Sequence, residues 1–146
     1  MPSVRGHYGA SGPILDIHIG MSEPRRRALQ SRSLAANPDL RLSFIIDTGA
    51  DTTMVNEQHM RTLGIDPRGT RDILTATSGA TPTSCSTYDV AFKLATYGDD
   101  PWILPAIEVI GRPLFNHSID GMIGRDILNR LVLSIDGPRM RFRIDY

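Results

Sequence analysis

Asp47, Thr48 and Gly49 are the residues of this chain best placed to do chemistry. They follow the apolar run Phe44-Ile45-Ile46 and precede Ala50-Asp51, so a carboxylate stands at the end of a strand and opens a tight turn. The hydroxyl of Thr48 can brace such a turn, and Gly49, with no Cβ, lets another backbone come close. A carboxylate held firmly yet open to solvent suits hydrolysis by two carboxylates ~3 Å apart that share a proton. One activates a water while the other donates to the carbonyl oxygen or the leaving nitrogen. Asp-Thr-Gly occurs once in the sequence, so the second carboxylate of such a dyad has to come from another copy across a two-fold axis. Taken alone, the tripeptide also reads as ordinary turn chemistry.

The elements around it are short strands. Leu42, Phe44 and Ile46 alternate in the strand that ends at Asp47, and Leu15, Ile17 and Ile19 alternate with Asp16 and His18 upstream. Residues 1–12, rich in Gly and Ser, are expected to form a flexible arm, which leaves 13–146 as the domain. Residues 21–41 carry Arg25-Arg26-Arg27, two Pro and several Ser, and read as a long loop insertion rather than a helix over 26–36. Residues 51–63 suggest a short strand and a helical turn closed by Gly64. Thr residues flanking Ser78-Gly79 predict a hairpin over 73–88 with a polar tip.

Farther along, Tyr88, Val90, Phe92 and Leu94 alternate as a strand. Pro105 interrupts the apolar stretch 102–110, predicting an edge strand or a bulge. Met122 and Ile123 sit between Gly121 and Gly124, ahead of the helix-like Arg125-Asp126-Ile127-Leu128. After Leu131, Leu133 and Ile135 comes an Asp136-Gly137-Pro138 turn. The last strand has an apolar face of Met140, Phe142, Ile144 and Tyr146 and a mostly basic one of Arg139, Arg141 and Arg143. Many short strands with turn-rich spacing and little helix make a mostly β chain.

At 146 residues the chain fits one domain, too small for a two-lobed enzyme. Sixteen basic residues balance sixteen acidic ones, so net charge gives no reason to expect nucleic acid or an anionic membrane as partner. No apolar run approaches the ~20 residues of a membrane span. The first residues show no apolar h-region of a signal peptide, and Cys85 is a lone thiol, so a reducing, cytoplasmic setting is the simplest expectation.

The segment 47–51 and the later Gly121-Met122-Ile123-Gly124-Arg125-Asp126 together resemble the retropepsin-like aspartic proteases, with motif order and spacing agreeing over roughly residues 40–133. The resemblance implies a single-lobed β-barrel with one short helix and an active site at a homodimer two-fold. By it, Asp47 is catalytic, Thr48 locks the two catalytic turns together, and Gly49, Ala50 and Asp51 contact substrate backbone. Ser78, Gly79 and Ala80 become the tip of a flap over bound peptide. Met122, Ile123 and Gly124 pack beneath the catalytic turn, and Arg125 pairs with Asp51 in guanidinium–carboxylate geometry. The implied partners are a second copy and a peptide or protein substrate. The 21–41 segment is longer than in compact viral members.

Other signals are weaker. His7, His18, His59 and His117 lack ligand spacing, so no metal is expected, and no cofactor is called for. Asp120 and Asp126 read as turn and helix-start residues, and Asp136 as part of its turn. Asn116-His117-Ser118 matches a glycosylation sequon but reads as a loop. Arg25-Arg26-Arg27 reads as a solvated loop or an exposed processing or docking site, and the alternating arginines of the last strand as a solvated face or a surface for phosphate or an acidic partner. The alternative to an aspartic endopeptidase is a non-catalytic dimerisation or peptide-binding module on the same fold.

Overall fold

The computed structural model describes residues 1–75, 78–96, 98, 100–113 and 118–146. In chain order its elements are β1 (Ser3–His7), β2 (Ile14–Met21), α1 (Glu23–Gln30), β3 (Leu40–Ile46), β4 (Met54–Asn56), α2 (Glu57–Leu63) and β5 (Gly69–Ile73). There follow β6 (Thr83–Leu94), β7 (Ile103–Arg112), β8 (Gly121–Ile123), α3 (Arg125–Leu128), β9 (Val132–Asp136) and β10 (Arg141–Asp145). Of Asn116-His117-Ser118, the first two residues lie outside the described residues, as do Ala76 and Thr77 of the 73–88 segment.

The period-2 patterns close into a barrel. The sheet runs β2-β3-β8-β4-β7-β6, and β6 returns to pair with β2, with β5 added on the outer side of β6. Inward positions of β2, β3 and β6 meet inside: Ile17, Ile19, Phe44, Val90 and Phe92 are fully buried. Phe92 stands edge-on to Phe44 at 6.2 Å and to Trp102 at 6.4 Å, an arrangement favoured by the ring quadrupoles. Pro105 is accommodated by a register shift: Val90 faces Ile107 but Phe92 faces Leu104, which leaves an extra residue on β7. A second sheet, β1-β10-β9, lies outside the barrel and sends Phe142 and Ile144 into the same core.

Three expectations are corrected. Residues 3–7 are not a loose arm: β1 pairs with β10 from Ser3–Asp145 to His7–Arg141. Its apolar signal is weak because Gly6 faces the Phe142 ring, which occupies the space a side chain would need. The segment 21–41 is not simply a loop, because it carries α1. That helix buries none of its residues, so it shows no apolar period; Pro24 in its first turn and the Glu23–Arg27 ion pair at 3.0 Å support it instead. Finally, the described residues hold three short helices where one was expected. α2 is capped by the Asn56 side chain, which accepts the Gln58 N–H, and ends at Gly64 in the left-handed region at φ 69°.

Candidate active site

Asp47 ends β3. Its amide donates to the Ile123 carbonyl at 3.0 Å, which continues the parallel pairing of Ile46 with Ile123. Beyond it the chain turns, with the Ala50 N–H donating to the Asp47 carbonyl at 3.2 Å and the Gly49 N–H to Asp47 Oδ1 at 2.9 Å. A Cβ on Gly49 would stand 3.1 Å from that same oxygen, so Gly keeps the carboxylate unobstructed. Asp47 is half-buried, while Thr48 and Gly49 are exposed. The carboxylate is thus fixed by its backbone and one amide, and its other oxygen takes no side-chain partner among the described residues.

The second motif is laced to this turn. Arg125 N–H donates to the Ala50 carbonyl at 2.9 Å and Asp126 N–H to the Asp51 carbonyl at 3.2 Å. The Arg125 guanidinium reaches the Thr48 carbonyl at 2.8 Å. The expected Asp51–Arg125 ion pair does not form among the described residues. The guanidinium passes over the turn to a backbone acceptor, and Asp51 is left exposed. Met122, Ile123 and Gly124 run alongside Ile45, Ile46 and Asp47, with Ile123 buried and Met122 packed against Met54 and Ile110.

Thr53, which the sequence reading passed over, and two acids it read only as turn and helix-start residues hold the arrangement together. Thr53, fully buried, donates its hydroxyl to Asp126 Oδ1 at 2.7 Å and its amide to both Asp126 oxygens at 3.1 and 3.0 Å. The same hydroxyl accepts the Gly124 N–H at 3.0 Å. Asp126, read as a helix-start residue, does accept the Ile127 N–H at 2.9 Å at the start of α3, but its other donors come from 73 positions away. Asp120 likewise exceeds a turn role. One of its oxygens accepts the Ser43 N–H at 2.9 Å, and the other meets His59 Nε2 at 2.8 Å. It thereby pins the start of β8 to β3, three residues before Ile123, whose carbonyl takes the Asp47 amide. Only a polar residue type at a turn hinted at either contact.

The hairpin of β5 and β6 brings Ser78, Gly79 and Ala80 to its tip, with Ile73 facing Thr83 at its end. Ser78 N–H donates to the Thr75 carbonyl at 3.1 Å, Thr75 N–H donates to the Ser78 hydroxyl at 2.8 Å, and Gly79 takes φ 60°. Gly79 and Ala80 are exposed. Arg71 of β5 leans back toward the site, its guanidinium 3.4 Å from the Thr52 hydroxyl.

A carboxylate presented on an Asp-Thr-Gly turn, braced by a Gly-Arg-Asp element across a closed β-barrel, defines a class. The chain matches the family described as aspartyl protease over residues 34–127, most of its length, and it belongs to that family. Its fold is retropepsin-like: it is similar to a solved retropepsin-like aspartic protease from Rickettsia conorii with a TM-score of 0.62, covering 99% of this chain and 91% of that one at 15% identity. That likeness speaks for the fold alone. The retroviral protease-like domain of Ddi1 from Leishmania major superposes more loosely, with a TM-score of 0.40 over 86% of this chain and 82% of that one at 16% identity. No curated protein sequence gives a significant match. Among the described residues, no helix is long and apolar enough to cross a membrane.

Proposed function

We propose that this chain is an aspartic endopeptidase that works as a homodimer, with Asp47 from each copy forming one dyad. The observation that carries the reading is the Asp47 turn itself: a carboxylate fixed by its amide to Ile123 and by Gly49 N–H, half-exposed, with no side-chain partner on its other oxygen among the described residues. Two such groups across a two-fold axis share one proton, because like charges that close cannot both ionise. The ionised carboxylate takes a proton from water as its oxygen attacks the peptide carbonyl, and the protonated one donates to the carbonyl oxygen. Collapse of the tetrahedral intermediate returns a proton to the leaving nitrogen.

The remaining residues fall into supporting roles. The exposed Thr48 hydroxyl braces the turn across the axis, and Gly49, Ala50 and Asp51 offer the substrate backbone an open approach. The tip residues Ser78, Gly79 and Ala80 close over a peptide bound as an added strand. Apolar side chains are the expected preference of the substrate subsites.

The deciding experiment is cleavage of an unfolded protein across pH ~3.5–7, the range where carboxylate dyads titrate, with and without pepstatin and with Asp47→Asn alongside. The expected result is acid-range cleavage by wild type and none by a variant that sedimentation shows to be a folded dimer. Equal cleavage by Asp47→Asn would remove Asp47 from the mechanism. A dimer without activity at any pH would leave a peptide-binding module in place of an enzyme.

A further inference from the structure

The outer face of the β1-β10-β9 sheet gathers positive charge that the catalytic reading does not use. Val4, Phe142 and Ile144 turn toward the core, so by the alternation of strands Arg5, His7, Arg141 and Arg143 stand on the opposite face, and all four are exposed. The register sets Arg5 directly beside Arg143 and His7 beside Arg141. Like charges opposed across antiparallel strands work against the pairing. With Ser134 and Asp136 of β9, these side chains wall a cavity of about 570 Å³.

Two acids share this face, and both are engaged. Asp145 accepts from Arg143 Nε at 2.6 Å, and Asp136 accepts from Arg139 at 2.9 Å. Arg5 and Arg141 have no acidic partner among the described residues. The chain carries no net charge, so any attraction for an anion belongs to this face and not to a global field.

We infer that this face binds an extended acidic peptide segment with carboxylates on alternate residues. Same-face positions of a strand recur about every 6.8 Å, which is the step from Arg5 to His7 and from Arg141 to Arg143. Alternate side chains of an extended ligand have the same step. The four basic groups form a two-by-two array spread over two strands, where a single phosphate would call for convergence on one point. Arg143 is already met by Asp145, so Arg5 and Arg141, one in each row, carry the attraction. Asp136 closes the end of the row through His7 and Arg141, so the ligand's charges lie toward β1. None of these residues touches the Asp47 turn, and the inference stands or falls independently of the dyad.

The test is an anisotropy titration with a labelled octapeptide of alternating Asp and Thr at low salt. Wild type should bind, with affinity falling as salt rises. The double variant Arg5→Glu/Arg141→Glu should bind more weakly by on the order of tenfold or more, the scale of two surface charge pairs. Arg5→Gln/Arg141→Gln removes the charges without adding repulsion and should also weaken binding, which keeps the result readable if the reversal variant misfolds. A block peptide of four Asp followed by four Thr, with equal charge, should bind less tightly. The inference is overturned if the alternating peptide does not bind, binds no better than the block, or is unaffected by the Gln variant. Stronger competition from inorganic phosphate or from a single-stranded oligonucleotide of equal charge would overturn it as well.

Discussion

The Thr53 hydroxyl donates to Asp126 at 2.7 Å while accepting the Gly124 N–H at 3.0 Å, so one buried side chain joins the strand after the Asp-Thr-Gly turn to the start of α3. Every donor and acceptor at this junction is satisfied internally, in a place with little access to water. Such a junction resists small displacements, because moving either side leaves buried polar groups without partners.

Removing the carboxylate should therefore be costly. Asp126→Ala strands the Thr53 amide and hydroxyl, and at ~1–3 kcal/mol for each orphaned buried group the expected loss is about 2–6 kcal/mol. Asp126→Asn keeps one acceptor oxygen but turns an N–H toward the Thr53 amide, so it should recover only part. Urea denaturation of the two variants checks this; equal stability of Asp126→Ala and wild type would rule out the junction as a support.

Arg125 should separate stability from activity. Its guanidinium donates to the Thr48 carbonyl from an exposed position, where such contacts contribute roughly 0–1 kcal/mol. Arg125→Ala is expected to melt nearly as wild type does. Because the contact holds the turn that carries Asp47, cleavage should fall by on the order of 10–100-fold, the scale of a small misplacement at a reacting centre, mainly in kcat. Arg125→Lys, with a single point donor, should fall between the two.

The glycines of the second motif should rank by what an added methyl would meet. In Gly124→Ala the new Cβ would lie 2.6 Å from the Thr52 carbonyl carbon and 2.9 Å from the Thr53 nitrogen, both backbone atoms that cannot swing away. Overpacking of that kind costs roughly 1–3 kcal/mol or more. Gly121→Ala would press on the Phe44 ring and the Met54 carbonyl and should be similarly damaging. Gly137→Ala meets nothing within 4 Å and should be close to neutral. Thermal melts of the three give the order.

Acid should weaken a different part of the molecule. Burial would raise the Asp39 carboxyl, but the hydrogen bond and charge of Lys93 and the charge of Arg26 outweigh it and hold the group below its ordinary 3.8. A folded-state value below the unfolded one means that the unfolded chain takes up the proton first as pH falls. The stabilisation is complete above the ordinary value and is lost as pH drops through it toward the folded value. Asp39→Asn should thus lower the melting temperature at pH 7 and by a smaller amount near pH 3. An equal deficit at both pH values would show that Asp39 acts through shape and not charge.

Much of the scaffold was legible because its signals are local. The alternation of Leu42, Phe44 and Ile46, the Asp-Thr-Gly turn after them and the Gly64 cap each depend on a few neighbouring residues. α1 was missed because a helix that buries nothing has no apolar period to read. β1 was missed because Gly6 leaves its place in the pattern to the Phe142 ring. At the site, Asp47 was legible from its turn, whereas the roles of Thr53, Asp126 and Asp120 were not.

What the amino-acid sequence determined by itself was the carboxylate turn, the strand that presents it, and the strand-rich character of the chain, all written in short-range periodicity and turn chemistry. Only the tertiary structure decided that Arg125 spans to the Thr48 carbonyl and not to Asp51, that Thr53 and Asp126 meet across 73 positions, and that four basic side chains share one face of the terminal sheet. The reason is physical: periodicity tells which side of a strand is buried, but partners distant in the chain are chosen by sheet register and barrel closure, and those depend on the packing of the whole core.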